Sequence, residues 1–351
     1  MSPQVSPRAI PGSILVYVGA ELMGDGFIKL PFIRALRAAF PDAAITWLAG
    51  KDRTVYDHAL KPLVAGLLDE VIEAAGIGVD WRELLGRRPL AGRRFDLVID
   101  TQSRVLTSLI VRRIRHGVLV SPCARFLLSD RRPRRGYRKP PHLHHRLFDL
   151  IALASGRPAP TPVPAPLPAE ATAQAGRLLA AGPIYIGFAP GAGQRFKCWP
   201  LERYIELARR QSARGRVPVF ILGPAETEWH AELAAALPDA RFPNQDAPAA
   251  GITTGPLLTL ALAQRLAAAV ANDGGGGHIL AESGVPLVSL WGPTKVAKAY
   301  PMARRLKLVT AQMFGGDAMA LIPVDAVEQA LETLLADPNA DDKPVVVSEV
   351  W

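Results

Sequence analysis

Short apolar runs alternate with glycine-bearing turns and longer amphipathic stretches along this chain, a pattern that predicts an α/β protein. The run 14–18 (I-L-V-Y-V) is β-branched and short, as a buried strand is. A turn with Gly19, Gly24, Asp25 and Gly26 follows. Residues 27–40 then have helical spacing, with Phe32, Leu36 and Phe40 on one side and Lys29, Arg34 and Arg37 polar. Pro31 falls near the expected start of that helix, where proline is tolerated. Residues 44–49 and 95–100 (F-D-L-V-I-D) read as further strands. Such a β-loop-α-β opening marks an open sheet, whose ligands bind beyond the carboxyl ends of the strands, where Asp25 lies.

Residues 157–168 (R-P-A-P-T-P-V-P-A-P-L-P) alternate proline with other residues and predict an extended, stiff linker. Beyond it a helix is expected over 169–181. A second series of strands is expected over 184–189, 217–222 and 287–291, with helices over 201–210, 228–237 and 324–335. The apolar stretch 257–271 reads as a helix leading into N-D-G-G-G-G-H, residues 272–278. Four consecutive glycines cost backbone entropy when ordered, so they make sense where a backbone passes close to a partner. If residues 275–278 open a helix, its free N–H groups attract phosphate; the plainer alternative is a flexible loop. The layout is two α/β domains, 1–168 and 169–336, with a loosely held tail at 337–351. A cleft between two such halves is the default binding site.

The length of 351 residues suits two domains, and 49% hydrophobic with 21% charged residues suits a well-formed core. Cys123 and Cys198 lie far apart and make neither a disulfide nor a metal framework, which fits a reducing compartment. The first residues do not read as a signal peptide, and Gln264 and Arg265 interrupt the one long apolar stretch. The net charge of +9 favours an acidic partner without choosing among nucleic acid, nucleotide and anionic membrane. Arg131, Arg132, Arg134, Arg135, Arg138 and Lys139 form a basic cluster, either a solvated loop or a contact for anionic lipid. His142, His144 and His145 lack zinc-ligand spacing and read as a polar loop or helix start.

Four segments share their order and spacing with one family. The first is Gly24-Asp25 with Pro31 six residues on. The second is a strand, then Pro190-Gly191-Ala192, then Lys197, Trp199 and Pro200. The third is a strand leading into Gly223-Pro224 and Glu226. The fourth is Asn272, Asp273, Gly275 and His278, then Gly284-Val285-Pro286 and Gly292-Pro293-Thr294. Together they span residues 14 to about 294 and resemble the heptosyltransferase-type glycosyltransferases of lipopolysaccharide core assembly, glycosyltransferase family nine.

The resemblance implies a GT-B architecture, two Rossmann-like domains facing across a cleft, with the acceptor on the N-terminal one and the nucleotide sugar on the other. It implies an inverting transferase that moves a sugar, typically heptose from ADP-heptose, to a lipid-linked inner-core saccharide. It places the protein in the cytoplasm, at the inner face of the inner membrane, with no cofactor and no nucleic-acid partner. Asp25 matches the family's catalytic aspartate, flanked by Gly24 and Gly26, and would deprotonate the acceptor hydroxyl; without the resemblance, helix capping is the commoner role for such an Asp. Lys197 and the backbone of Gly274, Gly275 and His278 would stabilise the leaving diphosphate. Asp273 would bind sugar hydroxyls, His278 phosphate or sugar, and Glu226 the ribose or adenine side. The absence of a D-x-D pair agrees with metal-free catalysis.

The chain departs from the family where a Ser or Thr usually follows N-D: Gly274 stands there, with Gly276 and Gly277 beyond. Two other readings share the fold: a non-catalytic protein that holds nucleotide or glycolipid, and a nucleotide-sugar epimerase.

Overall fold

The structure, a computed structural model, describes residues 10–164 and 166–336. The chain divides into two compact units, Met1–Ala165 and Pro166–Trp351. Residues 158–164 and 166–168 of the proline-rich segment carry no helix or strand. The expected tail, 337–351, lies outside the described residues.

Unit 1 is a five-stranded parallel sheet: β1 (Ser13–Val18), β2 (Ala44–Ala49), β3 (Glu70–Ile72), β4 (Arg94–Asp100) and β5 (Arg115–Val120), in the order β3-β2-β1-β4-β5. Its helices are α1 (Met23–Ala39), α2 (Val105–Arg112) and α3 (Leu143–Ser155). Leu15, Tyr17, Leu48 and Val98 of the sheet share a buried cluster with Ile110 and Val111 of α2, while α1 and α3 pack on each other. Residues 14–18 are 0–1% exposed, as befits a central parallel strand covered on both faces. His142 caps α3, its Nδ1 accepting the His144 N–H at 3.2 Å.

Helix α1 starts at Met23, four residues before the expected 27, so Gly24, Asp25 and Gly26 form its first turn and not a turn before it. The cause is local packing. A side chain at Gly26 would meet Val55 at 2.5 Å and Leu60 at 2.9 Å, and the Tyr56 hydroxyl donates to the Gly26 carbonyl at 2.7 Å. Those contacts pull the glycine into the helix. Pro31 is therefore inside α1, not near its start, and cannot donate to the Phe27 carbonyl.

Unit 2 opens with α4 (Ala169–Leu178) and is also all parallel. Its strands are β6 (Tyr185–Ala189), β7 (Val217–Phe220), β8 (Ala268–Asn272), β9 (Leu287–Trp291) and β10 (Leu306–Thr310), in the order β10-β9-β8-β6-β7. Helices α5 (Leu201–Ala213), α6 (His230–Ala236), α7 (Pro243–Asp246), α8 (Pro256–Ala263), α9 (Gly275–Ser283) and α10 (Val324–Ala336) complete it. Alternate residues split between two cores. Ile186, Phe188, Val270, Val288 and Leu290 pack with α5 and α10; Ala189, Ala269, Ala271, Leu287 and Trp291 pack with α4, α8 and α9.

The expected helix 257–271 is two elements, α8 and the central strand β8. A continuous apolar run has no period that separates a buried helix from a buried strand. The chain turns at Gln264 and Arg265, where the guanidinium donates to the Leu179 carbonyl. The expected helix 228–237 is likewise shorter: a 3-10 turn, Pro224–Trp229, precedes α6. Among the described residues no helix is long and apolar enough to cross a membrane.

Candidate functional site

Each sheet has a point where its strand order reverses direction. In unit 1 the chain builds outward from β1 to β2 and β3, then returns to add β4 and β5 on the other side. The loops after β1 and β4 leave the sheet in opposite directions there, and a reversal of this kind is where open α/β sheets bind ligands. In unit 2 the same reversal separates β6 from β8.

At the first reversal Asp25 is half-buried in the opening turn of α1, and its Oδ2 accepts the Leu22 N–H at 3.3 Å. That bond is long, so the carboxylate keeps most of its accepting capacity. Behind it lies a buried network. The Glu21 carboxylate, 0% exposed, accepts from the Lys29 ammonium at 2.8 Å, the Trp47 indole at 3.0 Å and the Thr54 hydroxyl at 2.5 Å. Lys29 stands one turn after Asp25 on α1, so this network fixes the helix that carries Asp25. On the β4 side, buried Asp100 accepts from the Gln102 N–H and from the Ser108 and Ser121 hydroxyls. Burial holds its carboxyl above the usual range, against those hydrogen bonds. The Thr101 hydroxyl donates to the Tyr17 carbonyl at 2.9 Å and ties the start of the loop after β4 to strand β1.

At the second reversal the loop Pro190–Gly193 leaves β6 beside the end of β8. Asn272, 0% exposed, is the hub. Its Nδ2 donates to the Pro190 carbonyl at 2.6 Å; its Oδ1 accepts from the Trp199 N–H at 3.2 Å and the Tyr204 hydroxyl at 3.1 Å. One amide thus holds the loop, the start of α5 and the central strand in register. The next residue, Asp273, pairs with Lys197 at 3.1 Å, the two side chains 13% and 25% exposed. Gly274 then caps α9. A side chain at Gly274 would come within 3.2 Å of Ala192, and one at Gly276 within 3.3 Å of Ala189. The glycine run therefore lets α9 start directly against the β6 loop, and the N–H groups of its first turn lie beside Lys197 and Asp273. The Lys197–Asp273 ion pair and the amino-terminal start of α9 so meet at this sheet end.

Glu226 belongs to the same place. Its Oε2 accepts the Gly223 N–H at 2.9 Å, and a side chain at Gly191 would come within 2.4 Å of its carboxyl group. Glu228 is engaged separately, in an ion pair with Arg195. Trp199 is buried and donates to the Ile322 carbonyl at 2.9 Å, a packing role. The structure so brings Lys197, Glu226, Asp273, Gly274, Gly275 and His278 to one sheet end in unit 2, and Gly24, Asp25 and Gly26 to one sheet end in unit 1. Glu21, Lys29 and Asn272 have roles that sequence reasoning missed. A glutamate in the loop after the first strand, eight residues before a lysine, is the only signal for the first pair. Asn272 was visible beside Asp273. Among the described residues no group of three or more His, Cys, Asp and Glu could hold a metal ion.

Residues 85–315 match the family model described as glycosyltransferase family 9 (heptosyltransferase), well over half of the chain. The chain belongs to this family. The glycosyltransferase has Lys197, Glu226, Asp273 and His278 inside the matched residues and Asp25 outside them. No curated protein matches by sequence. Among solved structures, it is similar to the glycosyl transferase family 9 from Veillonella parvula DSM 2008, with 21% identity, 93% of this chain and 97% of that one covered, and a TM-score of 0.68. It is also similar to E. coli ADP-heptose lps heptosyltransferase II (21% identity, 93% and 100% covered, TM-score 0.66). E. coli heptosyltransferase WaaC with ADP gives 19% identity, 92% and 99% coverage and a TM-score of 0.66. These likenesses bear on the fold, and its class is GT-B, two parallel-sheet α/β domains.

Proposed function

We propose that this glycosyltransferase moves heptose from ADP-heptose, with inversion, to a lipopolysaccharide core saccharide or related glycolipid. The observation that carries the reading is the meeting of Lys197, Asp273 and the start of α9 at the sheet reversal of unit 2. The ADP bound to WaaC, a structural neighbour, supports ADP as the nucleotide.

In this reading unit 2, with the domain expected at 169–336, holds the donor, and unit 1, with the domain expected at 1–168, the acceptor. Lys197 and the N–H groups at Gly274 and Gly275 stabilise the diphosphate as its bond to the anomeric carbon breaks. Asp273 orients Lys197 and accepts from sugar hydroxyls; His278 hydrogen-bonds phosphate or sugar; Glu226 accepts from the ribose side. Asp25 takes the proton of the attacking acceptor hydroxyl, with Gly24 and Gly26 shaping its turn. Exposed Arg132, Arg134, Arg135, Arg138 and Lys139, with half-buried Arg131 beside them, touch anionic lipid at the inner face of the membrane.

The test is nucleoside-diphosphate release from ADP-, UDP- and GDP-sugars with and without core glycolipid, in the native chain and in Asp25→Ala. Acceptor-dependent ADP release, absent in the variant while donor binding persists, is expected. No release from any donor would remove the reading. Release of a free epimer in place of a transferred sugar would replace it.

A further inference from the structure

The opposite, amino-terminal end of the unit 1 sheet carries a second site. A cavity of about 730 Å³ opens there, lined by Arg88, Arg94, Arg112, Arg113, Arg115 and His116, with Ile114 at its base. The arginines come from three places: the segment before β4, the first residues of β4 and β5, and the end of α2 with its exit.

Register makes the arrangement unusual. Arg94 and Arg115 are direct partners across the parallel β4–β5 ladder, and like charges in that relation repel. A single charge suffices to blunt an edge strand such as β5; five arginines converging on one cavity exceed that need. No carboxylate lines the cavity among the described residues. Asp96 is committed to the Gly12 and Ser13 N–H groups and the Ser13 hydroxyl. Asp130 accepts the Leu119 N–H at 2.8 Å and reaches Arg112 only at 3.5 Å and His116 at 3.6 Å. Arg113 is held by the Glu83 and Gly86 carbonyls, and Arg112 by that of Leu128. Two guanidinium groups are thus pre-positioned at the rim, while Arg88, Arg94 and Arg115 project from exposed positions.

We propose that this cavity binds clustered phosphoryl groups, carried either by a soluble polyphosphate or by phospholipid headgroups. The guanidinium fork matches phosphate oxygens two at a time, and several forks around one volume select a ligand with more than one phosphate. The ligand would also relieve the Arg94–Arg115 repulsion.

The test titrates the full chain with inorganic tripolyphosphate by calorimetry, and with phosphatidylglycerol vesicles by co-sedimentation. The variants are Arg94→Gln/Arg115→Gln and, separately, exposed Arg88→Gln. Lys197→Ala separates this site from phosphate held in unit 2. One tripolyphosphate per chain, weakened tenfold or more in the double variant, less in Arg88→Gln and unchanged in Lys197→Ala, is expected. Vesicle binding weakened in the double variant assigns the phosphates to lipid; vesicle binding unchanged in the double variant, and so carried by the basic cluster 131–139, or no vesicle binding at all, assigns them to the soluble anion. As a folding control, the double variant melts no lower than the native chain at low ionic strength, and tripolyphosphate raises the native Tm only. Equal affinity in native and double variant, or no binding of either probe, overturns the proposal.

Discussion

The two sheet reversals solve one geometric problem with different chemistry. Each must hold a loop and a helix start above parallel strands. In unit 1 the hub is ionic: Glu21 and Lys29, sealed beneath α1 with Trp47 and Thr54. In unit 2 the hub is neutral: Asn272, with a carbonyl, an amide and a hydroxyl as partners. The accessible charges follow the reverse pattern, a lone carboxylate at Asp25 against the ion pair Lys197–Asp273 at the start of α9. A sealed ion pair is a rigid support that fails badly when cut, because the survivor is a buried unpaired charge. A neutral hub costs less to break and leaves room for charge at the surface.

The largest effect that sharpens this contrast is expected for Asp25→Ala. Turnover should fall roughly 100- to 10,000-fold, the range of a lost general base, with little change in Tm, since Asp25 contributes one long hydrogen bond to the fold. Steady-state kinetics beside a thermal melt separate the two. Next, Glu21→Ala strands buried Lys29 and should cost about 3–5 kcal/mol, seen as a lower urea midpoint. A loss under about 1 kcal/mol there would remove the distinction between the hubs. Asn272→Ala should cost about 1–3 kcal/mol, since it leaves the Pro190 carbonyl and Trp199 N–H without their partner. Its donor affinity should fall together with stability, whereas in Asp25→Ala it should persist.

The smallest effect is pH-dependent and confined to unit 1. His144, on α3 and packed against α1, is pushed down to about 4 by burial, with His142 and His145 adding to the shift. A free histidine titrates near 6.5. Between these values the unfolded chain binds a proton that the folded chain refuses, so stability falls as pH drops from 6.5 to 4. His144→Phe should flatten that slope in urea titrations, by less than about 1 kcal/mol at pH 6.

Much of this was legible in the sequence. Strands β1, β2, β4, β6 and β9 stand out as short β-branched or aromatic runs, and the parallel α/β class follows from their alternation with helices. The apolar run 257–271 was not legible as helix plus strand, because β8 spends its interior positions on alanines that suit either element. The start of α1 was hidden for a different reason: what draws Gly26 into the helix is Val55, Tyr56 and Leu60, some thirty residues away. Asp25, Lys197 and Asp273 could be named as candidates only through the family resemblance their motifs carry. Glu21 and Asn272 act through partners distant in sequence, and Lys29 through Glu21; no local pattern encodes the distant partners. Strand β5 begins with Arg-His-Gly, an edge composition that reads as loop until the ladder with β4 is seen.

The opening turn of α9 has a dynamic consequence. Gly275, Gly276 and Gly277 each give up about 0.5–1 kcal/mol relative to alanine in a helix. That turn therefore frays at a small fraction of the free energy needed to melt the sheet beneath it. In deuterium oxide its amide protons should exchange well before those of β8, a few residues away. The helix end that offers its N–H groups to an anion is thus the part of unit 2 closest to melting, and an arriving diphosphate would tighten the turn as it docks.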